Sequence, residues 1–148
     1  MAFSQQDTEC MALALKLSKK GRAFVGANPM VGCVITRDGK IVAQDYHRQY
    51  GKSHAEVNAL DQIKHQGKGT KLYVTLEPCS HHGKTPPCTK ALIKAGVKNV
   101  VVAMLDPNPM VSGRGVEFLQ DAGIEVEIGL LQSEAMELNR GFIKRMET

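Results

Sequence analysis

The sequence is poor in the residues that several function classes need. It has no tryptophan, three tyrosines and four phenylalanines in 148 residues, which leaves little to stack bases along a nucleic-acid strand. No stretch approaches the ~18 uninterrupted apolar residues of a membrane span. The N-terminus "MAFSQQDTECMALALKLSKKGRAF" carries acids and lacks a basic start followed by a long apolar core, so no secretory signal is expected. The expectation is a cytoplasmic protein with no membrane and no nucleic-acid partner. Internal repeats, low-complexity segments and linkers are also lacking, which leaves one domain over residues 1–148 as the economical reading. A chain of this length buries enough apolar surface to fold without a metal. The net charge of +4 is spread along the chain and suits a small anionic substrate better than a polynucleotide.

Cysteine is sparse: Cys10, Cys33, Cys79 and Cys88. In a cytosolic chain, metal or catalytic roles are favoured over two disulfides. Cys10 falls in a helical apolar stripe and Cys33 in the strand pattern "VGCVI", and both read as core.

Helical spacing is expected over 7–20, ending near Gly21. "MVGCVITRDGKIVAQDYH" reads as two strands joined at Asp38-Gly39, a dipeptide suited to a tight hairpin turn. A helix over "SHAEVNALDQIKHQ" and the strand "KLYVTL" follow. The next helix begins near Pro86-Pro87 and ends at a glycine cap. "NVVVAML" reads as a buried strand, "GRGVEFLQDAG" as a helix, "IEVEIGL" as a strand and "SEAMELNRGFIKRM" as a final helix. Two paired strands followed by alternating helix and strand predict an α/β fold with a largely parallel sheet covered on both faces.

The chemistry concentrates in "TLEPCSHHGKTPPCTKAL", residues 75–92. Cys79 and Cys88 allow a zinc knuckle, a redox pair or half of a catalytic metal site. Cys-x8-Cys lacks the close spacing of redox dithiols. A catalytic zinc takes three protein ligands and keeps a position for water. "SHAE", residues 53–56, supplies a third ligand in His54 and a base in Glu56. A His/Cys/Cys zinc with a non-ligating Glu is the established arrangement of zinc deaminases, written H-x-E with P-C-x-x-C, and these residues resemble it. Zinc lowers the pKa of its water toward about 7. Glu56 can take a proton from that water, give it to a ring nitrogen and help the amine leave as ammonia. In mid-helix His54 and Glu56 would not share a face; they can serve one site if they open the helix, with Ser53 as the cap. His81 and His82 read as loop-shaping or substrate-facing, since a fourth ligand would close the water site. Gly113 and Gly115 read as a turn entering a helix.

The spacing departs from the P-C-x-x-C of most such deaminases, and the departure is informative. "NPMVGCVI", "HAEVNAL", "TLEPCSHHGKTPPC", "DPNPMVSGRG", "AGIEVEIGLL" and "LNRGFIKRM" together closely resemble the deaminase domain of the bacterial bifunctional riboflavin-biosynthesis deaminase/reductase family, from about Gly21 to Met146. The resemblance implies a three-layer α/β/α cytidine-deaminase-like fold with a mixed, mostly parallel sheet of about five strands. It implies hydrolysis of 2,5-diamino-6-(5-phosphoribosylamino)pyrimidin-4-one to 5-amino-6-(5-phosphoribosylamino)uracil and ammonia. It assigns one zinc with a catalytic water to His54, Cys79 and Cys88, the proton shuttle to Glu56, and the substrate pocket to Asn28, His47, Lys84, Asp106 and Asn108. By their own chemistry, Asn28 and Asn108 precede proline and read as turns, and Lys84 and His47 as solvated loop residues. A homo-oligomer is expected. The family continues into an NADPH-dependent reductase domain, which is expected to be absent from this chain, so a separate reductase is a further possible partner. A zinc deaminase of another nucleobase or nucleoside, and a non-catalytic zinc domain, stay open as alternatives.

Overall fold

The computed structural model describes residues 3–21, 29–48, 53–80 and 87–147, with side chains to 144. Asn28, His81, His82 and Lys84 therefore lie outside the described residues.

Helix α1 spans Gln5–Ser18 and starts two residues earlier than its apolar periodicity suggested. The reason is a capping box: the Ser4 hydroxyl accepts from the Asp7 amide at 3.0 Å, and the Asp7 carboxylate accepts from the Ser4 amide at 3.1 Å. A single 3₁₀ turn, Lys19–Gly21, ends it. Strands β1 (Gly32–Arg37) and β2 (Lys40–Tyr46) form the expected hairpin. Asp38 and Gly39 both take positive φ, 52° and 77°, as a two-residue turn matched to strand twist requires. Then come α2 (Ala55–Gln62), β3 (Thr70–Val74), α3 (Cys88–Ala95), β4 (Asn99–Val102), α4 (Arg114–Asp121) and β5 (Glu125–Ile128). Gly96, at φ 83°, caps α3.

Among the described residues, five strands form one sheet in the order β2-β1-β3-β4-β5. β1 is antiparallel to both neighbours, and β3, β4 and β5 are mutually parallel. Four strands thus run one way and β1 runs against them, which gives the mixed, mostly parallel sheet. Helix α1 packs on one face, over β1 to β3. A Cβ at Gly32 would lie 1.8 Å from the Ala14 carbonyl oxygen, so only glycine lets α1 sit this close. Helices α2, α3 and α4 follow one another across the sheet. Pleat parity places α2 opposite α1: Gln62 of α2 bonds Asp45, whose register partner Cys33 points away from Gly32. The core between the layers is apolar, with Val34, Ile35, Leu72, Val74, Val100 and Val102 inaccessible to solvent. Cys10 and Cys33 are buried within it, as expected.

The single final helix expected over 133–146 is instead two, α5 (Gln132–Leu138) and α6 (Arg140–Glu147). Asn139 is the break. Its buried side chain accepts from the Met30 amide at 2.7 Å and donates to the Met30 carbonyl at 3.0 Å. This pair of bonds holds Asn139 at φ −110°, outside helical geometry. No helix among the described residues is long and apolar enough to cross a membrane.

Candidate active site

The site is built from the N-terminal ends of α2 and α3 and the segment that leaves β3. His54 is the N-cap residue of α2, in extended conformation (φ −72°, ψ 167°). This corrects the expectation that Ser53 would cap the helix. Ser53 offers its carbonyl to the Asn58 side-chain amide at 3.2 Å, while His54 turns its ring toward the cysteines and makes no side-chain cap. Glu56 is the second residue of α2, so both side chains sit beside one helix end. Cys88 is the first residue of α3, after an N-cap at Pro87. Cys79 lies across from it: the Cys88 amide donates to the Cys79 sulfur at 3.2 Å and the Thr89 amide to the Cys79 carbonyl at 3.1 Å. The positive end of α3 thus faces Cys79 and favours its thiolate.

The ligand atoms of His54, Cys79 and Cys88 all lie within 4.8 Å of one another. His54 Nδ1 is 3.2 Å from Cys88 Sγ and 3.7 Å from Cys79 Sγ. A tetrahedral zinc, with bonds of about 2.1 Å to nitrogen and about 2.3 Å to sulfur, sets such atoms about 3.6 Å apart. The donor set and the spacing both fit zinc.

The electrostatics fit as well. A hydrogen bond from Cys88 lowers the Cys79 thiol to about 4 against the effect of burial, with His54 assisting. Cys88 itself is raised, first by that same bond and then by burial. Hydrogen bonding to Cys79 raises His54. The shifts favour the thiolate at Cys79, and metal binding would release the proton of the Cys88 thiol. Glu56 is 3% exposed, and burial pushes its carboxyl up to about 7, with the nearby His54 opposing. It is poised to exchange a proton near neutrality.

His47 is buried beside this group. Its ring stands edge-on to that of His54, with centroids 5.3 Å apart. Its Nδ1 is 3.4 Å from the Ser53 carbonyl. Burial lowers its pKa and favours the neutral ring. Asp106 and Asn108 are half-buried after β4 and form a turn in which each side chain accepts a downstream amide: Asn108 N to Asp106 Oδ1 at 2.9 Å, Met110 N to Asn108 Oδ1 at 3.0 Å. Gly113 takes φ 85° at the start of α4, consistent with a turn entering a helix.

Two residues that organise the site were missed from sequence. Asn58 ties α2 to β2 and to Ser53 through one amide nitrogen, 3.0 Å from the Tyr46 carbonyl and 3.2 Å from that of Ser53. Glu77 gathers three main-chain amides around a buried carboxylate. Neither has a motif, because their partners are backbone groups that any residue carries.

The chain matches the family described as cytidine and deoxycytidylate deaminase zinc-binding region over residues 4–104. It is 58% identical to the riboflavin biosynthesis protein RibD of Escherichia coli K12, over 97% of this chain but 39% of that protein. It is 51% identical to the diaminohydroxyphosphoribosylamino-pyrimidine deaminase of Buchnera aphidicola subsp. Schizaphis graminum, over 97% of each. A solved Thermotoga maritima diaminohydroxyphosphoribosylaminopyrimidine deaminase/5-amino-6-(5-phosphoribosylamino)uracil reductase superposes with a TM-score of 0.90 at 45% identity, over 96% of this chain and 41% of that one. The chain therefore spans about two fifths of the longer relatives and almost the whole of the Buchnera deaminase. A zinc-compatible His/Cys/Cys group beside a buried glutamate, on a fold matched across nearly its full length, places this chain in the cytidine and deoxycytidylate deaminase family, among the diaminohydroxyphosphoribosylaminopyrimidine deaminases.

Proposed function

We propose that this chain is a zinc-dependent hydrolase that converts 2,5-diamino-6-(5-phosphoribosylamino)pyrimidin-4-one to 5-amino-6-(5-phosphoribosylamino)uracil and ammonia, a step of riboflavin biosynthesis. The observation that carries the proposal is the convergence of His54, Cys79 and Cys88 with the buried Glu56 at two helix ends. His54, Cys79 and Cys88 hold one ion. Zinc there supplies a Lewis acid that brings a water pKa toward about 7, low enough for attack on the ring carbon bearing the 2-amino group.

The remaining work falls to the chain. Glu56 takes one proton from the attacking water and passes it to the adjacent ring nitrogen. It then moves the second proton from the new hydroxyl to the amine, which departs as ammonia and leaves a ring carbonyl. A carboxyl held near 7 by burial can both accept and return a proton in this cycle. His47, held neutral by burial, forms a wall beside His54 and can offer a ring N–H or lone pair to the pyrimidine. Asn28, Asp106 and Asn108 supply donors and acceptors to the heterocycle edge, and Lys84 a point charge for the ribose phosphate or a ring substituent. Residues 1–148 act as one deaminase domain. Reduction of the ribose falls to a reductase, either fused as in the bifunctional relatives or separate.

The test is ammonia release by the zinc-loaded protein from the diaminopyrimidine phosphoribosyl substrate, cytidine, guanine and tRNA. Release from the first alone is expected. Release from one of the others without the first would overturn the assignment.

A further inference from the structure

We infer that Glu77 is a positioning residue that fixes the Asp106–Asn108 turn against the Pro78–Cys79 segment. One buried carboxylate would then hold the metal-binding and substrate-binding halves of the site in register. This rests on the proposed function in taking Asp106 and Asn108 as substrate contacts.

Glu77 is 5% exposed and two residues ahead of Cys79. Its Oε1 accepts from the Asp106 amide at 2.9 Å and the Gly113 amide at 3.0 Å, and its Oε2 from the Val116 amide at 3.0 Å. Those partners lie 29, 36 and 39 residues further along the chain. Its own amide donates to the Met104 carbonyl at 2.9 Å, which continues the β3–β4 pairing past the strand ends. A buried carboxylate needs its lone pairs filled. Here the fillers come from both ends of one loop, the Asp106 amide where the loop leaves β4 and the Gly113 and Val116 amides where it enters α4.

The loop also closes from the other side. A Cβ at Gly115 would lie 2.1 Å from the Pro78 carbonyl oxygen, so the first turn of α4 rests directly on the residue before Cys79. Within the loop, the Asp106 carboxylate orients the Asn108 amide and the Asn108 side chain orients that of Met110. Displacing the Asp106 backbone therefore displaces both side chains proposed above to contact the substrate. The Glu77 carboxylate is filled by main-chain amides, so it acts through the turn it holds.

Glu77→Gln tests this. Its amide NH₂ cannot accept, so at least one of the three loop amides loses its partner while side-chain size is kept. We expect bound zinc per chain unchanged, KM raised about tenfold and kcat changed far less. Amide hydrogen exchange at Asp106, Gly113 and Val116 should accelerate. Glu117→Gln, at an exposed carboxylate on α4, should alter none of these. A Glu77→Gln protein with a lowered melting temperature but unchanged KM and unchanged exchange at the three amides would overturn the inference and leave Glu77 a purely structural residue. Absence of ammonia release by the wild-type protein would sink the substrate assignment instead, and the exchange measurement would still decide whether Glu77 holds the turn.

Discussion

Two buried carboxylates, both in the first turn of a helix and on opposite faces of the sheet, have been driven to opposite ends of the titration range. Asp7 of α1 is 6% exposed and Glu56 of α2 is 3% exposed. Burial alone would raise both. At Asp7 it is outweighed by the Tyr73 hydroxyl at 2.6 Å, the Lys71 ammonium at 2.9 Å and the Ser4 amide, which together bring the carboxyl to about 2. At Glu56 burial wins and the carboxyl rises to about 7. Among the described residues no lysine or arginine pairs with Glu56. A carboxylate whose lone pairs are spent on the protein's own donors is a structural element. One left protonatable near neutrality is available for chemistry, at the expense of stability.

The largest expected effect tests that division at Glu56. Glu56→Gln should lower kcat by about a thousandfold or more, with bound zinc unchanged and the melting temperature unchanged or higher, since a buried ionisable group has been made neutral. Cys79→Ser should instead lose the metal, and turnover with it. Metal analysis and thermal melts of the two variants separate these outcomes. A Glu56→Gln protein that keeps most of its turnover would erase the contrast with Asp7.

At Asp7 the signature should be reversed. Asp7→Asn should leave kcat and KM in place and lower unfolding free energy at pH 7 by about 2 kcal/mol. The folded-state pKa lies below the ordinary aspartate value of about 4, so the unfolded chain binds the proton more readily. The contribution is therefore fully present above about pH 4 and is lost as pH falls through about 2. Urea unfolding of wild type and variant should show their difference vanishing across that window. A difference that persists below pH 2 would mean that packing, not charge, sustains Asp7.

The same contrast explains what the sequence made legible. His54, Cys79 and Cys88 could be named together because metal chemistry constrains both residue type and spacing, and the Asp38-Gly39 turn because few residues tolerate positive φ there. Elements were located by apolar period, but their ends were set by side-chain bonds that periodicity does not register. The Ser4–Asp7 box moved the start of α1, and Asn139 split the last helix by gripping Met30, 109 residues away. Glu77 and Asn58 were invisible for a related reason: they recognise main-chain groups, and a backbone amide looks the same at every position. Asp7 was read only as the edge of a helix, because its partners Tyr73 and Lys71 arrive from β3.

Tyr73→Phe should give the smallest effect and sharpen the comparison most finely. Tyr73 is 1% exposed, and its hydroxyl donates to Asp7 Oδ1. Burial and the adjacent carboxylate both raise its pKa, so it stays a donor at every pH of interest. Removing the oxygen takes away one hydrogen bond to an ionised group while the ring keeps its packing, so the expected loss is about 1 kcal/mol. That is less than for Asp7→Asn, because Lys71 and Ser4 still reach the carboxylate. Part of the depression of the Asp7 pKa should go with the hydroxyl. The acid limb of the stability curve should then be shallower and level off at higher pH than in wild type, while turnover on the far face of the sheet is untouched. Equal losses for Tyr73→Phe and Asp7→Asn would show that the hydroxyl alone holds the charge and that the lysine contributes nothing measurable.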